Sequence, residues 1–376
     1  MSKQRIVSIE YIRGISMLGV VGIHTGAFSL SNPNVNIHLF ALLEIFTRFS
    51  VPIFFFVSAF GLFINQNLNE SFNYLNFMKR RLRTVFIPYL TWSLIYMVHY
   101  TWVSGDTAIW QQPLLSEYFL FGLASYQLYF LVILLWFYAL MPLWRLIVRK
   151  TISAPIRSLT VLLFLQILFN YYSSYLLQPL SPSFYINLAL QYRLSYWVAH
   201  YIFIFILGAI CAIKYKDFLE ITRKNRAAIT AFFYLTLSGM LIFYYYLLFV
   251  KGYTPEAAVN TAHQLSPVGV LYTFAATLFW FLIFSFNKIP TRLTSIFQCL
   301  GDHSYMVYLV HPMVMYYLIG YITSNNIIMT VPVVVIFFIL TVLISLSVAA
   351  LEKKLSLFIP LISTLLLGSR TKKTGS

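Results

Sequence analysis

Ten apolar segments constrain the fold of this chain more than any other feature of its sequence. A helix needs about 20 apolar residues to cross the roughly 30 Å of hydrocarbon in a bilayer, and each segment is close to or above that length. The segments are residues 7–30, 39–64, 84–103, 126–148, 158–178, 195–214, 227–250, 266–287, 303–322 and 329–351. The stretch from 104 to 125 is too mixed to cross, and we expect it to be re-entrant or to lie at the membrane interface. The sequence therefore predicts an all-α polytopic membrane protein with ten transmembrane helices.

The basic residues predict how these helices are oriented. With both termini placed in the cytoplasm, all but four of the 26 lysines and arginines lie on the inner side, which is the bias that cytoplasmic loops show. Arg193 and Lys251 lie outside, and Arg13 and Arg48 lie within spans. Because the net charge of +16 is concentrated in these loops, it indicates topology and not a nucleic-acid partner. We expect a multi-pass protein of the cell (plasma or inner) membrane, surrounded by lipid.

The first span carries three ionisable residues, which are costly in hydrocarbon and therefore mark candidate functional sites. Arg13 and His24 are eleven positions apart, about 1100° of helical rotation, so they point in directions that differ by roughly 20°. Their separation along the helix axis is about 16 Å at 1.5 Å per residue. Glu10 precedes Arg13 by three residues and is close enough to pair with it. The alternative is a structural ion pair together with a histidine near the outer headgroups.

Other polar residues within or beside the spans allow two interpretations each. Glu44 and Arg48 are spaced i, i+4 in the second span, which suits either a neutralising pair or a substrate contact. His311 shares a helix face with Tyr308 and Ser304, and it either contacts substrate or packs beside a kink at Pro312. A tight basic cluster precedes the third span, and it reflects either ordinary topology or a site for a cytoplasmic anion. Its members are Lys79, Arg80, Arg81 and Arg83.

Five stretches occur in a characteristic order along most of the chain. They are RGISMLGVVGIH with its Arg-x10-His pattern (13–24), VPIFFFVSAFGLF (51–63), KRRLRTVFIPYL (79–90), YQLYFLVILL (126–135) and GDHSYMVYLVHP (301–312). Together they resemble the motifs of acyltransferase family 3, the membrane-bound O-acyltransferases that decorate surface polysaccharides. The chain departs from the family pattern at Ala59, where a glycine is usual, and at Tyr129, where a tryptophan is usual. Neither departure affects the Arg-His pair or the basic cluster.

The resemblance implies transfer of an acyl group, with acetyl expected first, from cytoplasmic acyl-CoA to a hydroxyl of an extracytoplasmic glycan or lipid-linked glycan precursor. His24 is then expected to be the general base, since an alcohol needs a positioned base to attack. Arg13 is expected to support the donor or to brace the site through Glu10. The phosphates of CoA would dock on the basic cluster, because guanidinium groups suit phosphate oxygens. The expected CoA ligands are Arg80, Arg81 and Arg83, and the expected substrate contacts are Tyr129, Ser304, Tyr308 and His311.

The main alternative is a transporter or flippase for a polysaccharide or a lipid-linked sugar, because intramembrane charges also mark transport pathways. No cluster of His, Cys, Asp or Glu has metal-ligand spacing, so we expect no metal and no permanently bound cofactor. We assign residues 1–352 to an acyltransferase-like transmembrane domain and residues 353–376 to a basic cytoplasmic tail.

Overall fold

The computed structural model describes residues 6–369. The basic residues Lys3, Arg5, Arg370, Lys372 and Lys373, which the sequence assigns to the cytoplasmic side, lie outside the described residues. The described chain is all-α and contains no strand, as predicted. Its helices are α1 (Val7–Ser29), α2 (Ile37–Glu44), α3 (Ser50–Phe63), α4 (Tyr74–Arg81), α5 (Ile87–Ser104), α6 (Leu114–Phe121), α7 (Tyr129–Ala139), α8 (Met141–Thr151), α9 (Pro155–Tyr171), α10 (Phe184–Gln191), α11 (Arg193–Tyr196), α12 (Ile202–Ile213), α13 (Tyr215–Lys224), α14 (Arg226–Phe249), α15 (Pro255–Thr261), α16 (Pro267–Phe286), α17 (Thr291–Ser324), α18 (Val331–Phe358) and α19 (Pro360–Leu367).

Five stretches of helix in the described chain are long and apolar enough to cross a membrane. They are Pro155–Leu176, Arg226–Phe249, Pro267–Phe286, Thr291–Ser324 and Val331–Phe358. Two bent pairs raise the number to seven if each pair is one span: α7 with α8, bent by 70°, and α12 with the helix after it, bent by 102°. On α18, large apolar side chains such as Val335, Ile339 and Leu343 are exposed, which suits a lipid environment. The count of ten spans and the cytoplasmic position of both termini stay predictions.

The second predicted span is not one continuous helix, which corrects the sequence interpretation. Helix α2 ends at Glu44, the chain turns through residues 45–49, and α3 begins at Ser50. The physical reason is Pro52, because its ring nitrogen cannot donate to the carbonyl of Arg48 and its ring would collide with that carbonyl in an uninterrupted helix. The break places Arg48 on a turn inside the protein.

A second irregularity lies between α4 and α5, where residues Leu82–Phe86 form a π-helical turn. Pro88 follows at the start of α5 and cannot donate to the carbonyl of Thr84, so the regular α-helical hydrogen bonds are interrupted there. The backbone N–H of Ile87 donates instead to the carbonyl of Leu82, five residues back. Turns of this kind occur often at functional sites, and this one contains Arg83 and directly follows the other three residues of the basic cluster.

Helix α1 lies in the centre of the bundle and packs against α2, α3, α16, α17 and α18. Its contact with α17 is close because residue 301 is a glycine. A Cβ at Gly301 would lie 2.3 Å from the carbonyl oxygen of Glu10, a distance that no side chain tolerates. The close contact brings the polar residues of α1 beside those of α17, so residues near the two ends of the sequence form one site.

The C-terminal segment is folded onto the bundle as far as it is described. Helix α18 continues through position 352, and the short helix α19 follows and packs against α5. The indole Nε1 of Trp92 donates to the carbonyl of Leu366 over 3.1 Å. The predicted boundary between residues 352 and 353 therefore lies inside a helix, and residues 360–367 form part of the packed structure.

Candidate active site

A cavity of about 500 Å³ lies between α1, α3, α4, α7 and α17. Its polar lining includes Glu10, Arg13, Arg81, Ser304 and Tyr308. Pockets of about 300–1,000 Å³ hold small organic ligands, so this cavity is large enough for part of a coenzyme. We refer to it as the arginine cavity, because in the described chain Arg13 and Arg81 are the only cations in its wall.

The predicted pairing of Glu10 with Arg13 is confirmed. Nη1 of Arg13 lies 3.1 Å from Oε2 of Glu10, and both side chains line the arginine cavity. The pair is partly exposed to the cavity, with about a third of the Arg13 side chain accessible. Arg13 therefore keeps donors facing open space while its charge is partly balanced.

Arg81, at the end of α4, lines the same cavity. Its guanidinium lies over the rings of Phe77 and Tyr138, at 5.3 and 5.2 Å from the ring centroids, and such cation–π contacts hold a guanidinium in place. Its Nε is buried and has no hydrogen-bond partner in the described chain. Arg81 is thus held by its flat faces, and its Nε–H is not used in a hydrogen bond within the described chain.

The other two predicted CoA ligands are placed differently. Arg80 is exposed, and Arg83 is half-buried where its backbone meets the C-terminal segment at Gly368. Neither residue lines the arginine cavity. The structure thus brings only Arg81 of the predicted trio into the cavity. The sequence could not separate the three, since all lie within four positions of one another.

A second cavity, of about 150 Å³, lies deeper in the bundle. We refer to it as the histidine cavity, because His24 lines it together with Arg48, Gln127, Tyr129 and Gln264. Its volume is about five times the roughly 30 Å³ that one water molecule occupies in the liquid. It therefore has room for a short acyl group and a hydroxyl, but not for a coenzyme.

The two cavities meet at one pair of side chains. Phe130 and Tyr308 line both of them, and their rings are in edge-to-face contact with centroids 5.7 Å apart. The Tyr308 hydroxyl donates to the backbone carbonyl of Gln127, which fixes the ring. The arginine cavity and the histidine cavity therefore have these two aromatic side chains in common in their walls.

Aromatic and imidazole rings surround His24. Its ring centroid lies 4.2 Å from that of Tyr126 and 5.4 Å from that of His311. His311 is fully buried, and its Nδ1 donates to the carbonyl of Val307 over 3.1 Å. His311 lies beside His24 and outside the walls of both cavities, so it contacts the candidate base and not the open space.

The remaining predicted substrate contacts lie in the cavity walls. Tyr129 lines the histidine cavity, Ser304 lines the arginine cavity, and Tyr308 lines both. The Ser304 hydroxyl donates to the carbonyl of Gly301 over 2.8 Å. No group of three His, Cys, Asp or Glu side chains suited to a metal ion occurs in the described residues.

Sequence reasoning missed several residues of the histidine cavity. The predicted pairing of Arg48 with Glu44 is confirmed, at 2.8 Å, but Arg48 also lines the cavity of His24. Its position within a span was the signal that pointed to a site. Gln127 and Gln264 in the cavity wall, and Tyr126 beside His24, carry no such signal, because uncharged polar residues are common near the ends of spans.

Comparison with known proteins agrees with the motifs and the architecture. Residues 6–350 match the family model of the acyltransferase domain. No curated protein and no solved structure matched the chain. Because the match covers nearly the whole chain and the helices are long and apolar, the chain belongs to acyltransferase family 3 and is a multi-pass membrane acyltransferase.

Proposed function

We propose that this acyltransferase takes an acyl group from cytoplasmic acyl-CoA and transfers it to a hydroxyl of an extracytoplasmic glycan or glycan precursor. Acetyl-CoA is the first donor to test. The observation that supports the proposal is the contact between two cavities of different character at Phe130 and Tyr308. One cavity has the cations that an anionic coenzyme needs, and the other has the base that an alcohol needs.

The arginine cavity suits the donor. Arg13 and Arg81 both line this cavity of about 500 Å³, and guanidinium groups bind phosphate oxygens with several directed hydrogen bonds. Arg81 is the last residue of α4, and the exposed Lys79 and Arg80 just before it extend the positive charge beyond the cavity. In this proposal the pantetheine arm lies in the cavity, and the thioester reaches the two rings that border the histidine cavity.

The histidine cavity suits the transfer itself. A neutral imidazole is the most common general base for a hydroxyl nucleophile. His24 is carried on a packed helix between Tyr126 and His311, so its ring direction is fixed. The short acyl groups are favoured because the cavity measures only about 150 Å³.

The test uses membranes that contain the full chain, a radiolabelled acetyl-CoA and surface glycan as acceptor. We expect label in the glycan with the wild-type protein and a loss of about 100-fold or more in His24→Ala, the scale on which a general base contributes. The matched control is His99→Ala, since His99 lines neither cavity and its Nε2 is hydrogen-bonded to the Tyr317 hydroxyl over 3.0 Å. Full transfer by the His24 variant would refute the base assignment.

The transporter alternative makes a different prediction in the same membranes. A flippase would move a labelled lipid-linked sugar across sealed vesicles without acyl-CoA, and mass analysis of the product would show no acyl increment. That result would overturn the proposed function. An acyl increment that appears only when acyl-CoA is supplied supports it and reports the acyl group and the acceptor together.

A further inference from the structure

Arg48 is the only cation in the described part of the chain that shares a cavity wall with His24. Its Nη2 donates to Oε2 of Glu44 over 2.8 Å, and 13% of its side chain is exposed. Its Nε is buried and has no hydrogen-bond partner in the described chain. A guanidinium that only neutralised Glu44 would be expected to have its remaining donors satisfied, because an unpaired buried N–H costs free energy.

The position of Arg48 is set by two features of the backbone. The turn at residues 45–49 interrupts the second span, and α3 then starts with its N-terminal turn at the cavity, where Val51 lines the wall. Glu44 packs against Gly26, and a Cβ added at Gly26 would lie 2.8 Å from the Cγ of Glu44. Since Gly26 is two residues after His24 on α1, the Glu44–Arg48 pair is held directly against the helix that carries the base.

The transfer reaction develops negative charge at this place, and a positive group there would stabilise it. The acceptor oxygen attacks the thioester carbonyl carbon and forms a C–O bond, while its proton passes to a ring nitrogen of His24. The carbonyl electron pair moves onto the oxygen and forms an oxyanion. When the intermediate collapses, the C=O bond re-forms, the C–S bond breaks, and the CoA sulfur takes the proton from His24. Preorganised donors that face the oxyanion are usually the largest contribution to such catalysis.

We propose that Arg48 is a further catalytic residue, whose guanidinium stabilises the oxyanion formed beside His24; this inference rests on the proposed acyl transfer. Glu44 is the positioning residue that holds the guanidinium. The N-terminus of α3 adds to the positive potential, because a helix carries about half a positive charge at that end. The electrostatic interaction of Arg48 with this oxygen is strongest in the transition state, since the thioester oxygen carries little charge before attack.

The test compares Arg48→Gln, Arg48→Lys, Glu44→Gln and the double variant Glu44→Gln/Arg48→Gln in membranes containing the full chain. Two quantities are measured: kcat for glycan acylation, with acetyl-CoA and succinyl-CoA, and the Kd of a non-hydrolysable thioether analogue of acetyl-CoA. We expect Arg48→Gln to lower kcat by about 10²–10³-fold, as for loss of one oxyanion donor, with a Kd unchanged within about 3-fold. Arg48→Lys keeps the charge but not Nε, and we expect its kcat to lie between those of the wild type and Arg48→Gln.

The double variant separates catalysis from a structural role. It removes both charges of the pair and leaves two amides that can bond each other, so it avoids an unpaired buried charge. We expect its kcat to stay as low as that of Arg48→Gln, and Glu44→Gln alone to lose no more than about 10-fold, because Arg48 is still present. Recovery of kcat in the double variant would show that the pair is structural and would overturn the proposal.

A comparison of the two acyl donors gives a second test of the role of Arg48. If Arg48 bound the carboxylate of a succinyl group, Arg48→Gln would lower transfer from succinyl-CoA and spare transfer from acetyl-CoA, and the oxyanion role would be refuted. Equal loss with both donors supports it. A wild-type protein that transfers from neither donor would instead refute the proposed function itself, so the two failures are distinguishable.

Discussion

The imidazole rings of His24 and His311 stack with their centroids 5.4 Å apart, although the residues lie near opposite ends of the sequence. Nδ1 of His311 donates to Val307, so Nε2 of the neutral ring is the acceptor. That nitrogen is buried without a partner in the described chain, and His311 lines neither the arginine cavity nor the histidine cavity. We infer that His311 acts through the ring of His24, as a positioning residue.

The stacking predicts which substitutions of His311 are tolerated. We expect His311→Ala to lower kcat by about 10-fold or more, because a base displaced by even 1 Å loses much of its effect. His311→Phe keeps a ring of similar size and should recover kcat to within about 3-fold of the wild type. Kinetics with acetyl-CoA in membranes would measure both. If His311→Phe is as inactive as His311→Ala, Nε2 itself contacts the substrate.

The close contact of α1 with α17 predicts a large loss of stability and activity when one glycine, Gly301, is substituted. A Cβ at Gly301 would lie 2.3 Å from the backbone oxygen of Glu10, whereas a Cβ at Gly320, on the same helix, would meet nothing within 4 Å. We expect Gly301→Ala to lower the unfolding temperature and the activity together, since backbone must move to admit the methyl group. Gly320→Ala should leave both unchanged or raise stability slightly, because alanine favours helix. Equal stability of the two variants would contradict this packing.

Part of the site follows from helical periodicity, and part does not. The spacing of Glu10, Arg13 and His24 predicts a shared face of α1, and the Glu10–Arg13 contact confirms the pairing within it. Arg48 could not be assigned in the same way, because the second span was predicted as one helix and the break before Pro52 changes where its side chain lies. The meeting of His24 with His311 depends on packing between distant helices, which a local pattern does not contain.

The basic cluster predicts a contrast between neighbouring arginines. Arg81 lines the arginine cavity and Arg80 is exposed, so only the first should contact the coenzyme. We expect Arg81→Gln to raise the KM for acetyl-CoA by about 10-fold or more, since a hydrogen bond to a charged group contributes about 1.5–3 kcal/mol. Arg80→Gln should change KM by less than about 3-fold at physiological salt, because exposed charges are screened. A similar rise in both variants would mean that the cluster acts only through its total charge.

Phe130 and Tyr308, the two aromatic residues that line both cavities, predict which acyl chain length the enzyme prefers. The ring centroid of Phe130 lies 5.7 Å from that of Tyr308 and 4.7 Å from that of Phe55, and Phe130 lines both cavities. Its removal therefore enlarges the space at the boundary of the histidine cavity. We expect Phe130→Ala to raise the ratio of kcat/KM for butyryl-CoA to that for acetyl-CoA by about 10-fold, the scale on which a methylene or two is discriminated. Tyr308→Phe keeps its ring and should leave the ratio unchanged. An unchanged ratio in Phe130→Ala would show that acyl length is selected elsewhere.

The C-terminal helix predicts an effect on donor binding from a residue outside the cavities. Gly368 has φ of 65°, and a Cβ there would lie 2.3 Å from the backbone oxygen of Arg83, beside Leu367, which lines the arginine cavity. We expect Gly368→Ala to displace the end of α19 and raise the KM for acetyl-CoA, because the clash is with backbone and cannot be relieved by a side-chain rotation.

Gly105→Ala is the matched control, since Gly105 has φ of 72° but open space around its Cβ. It carries the same backbone strain, about 1–2 kcal/mol, without the clash. A KM that rises equally in both variants would assign the effect to general destabilisation, whereas a rise confined to Gly368→Ala shows that the C-terminal helix forms part of the donor site.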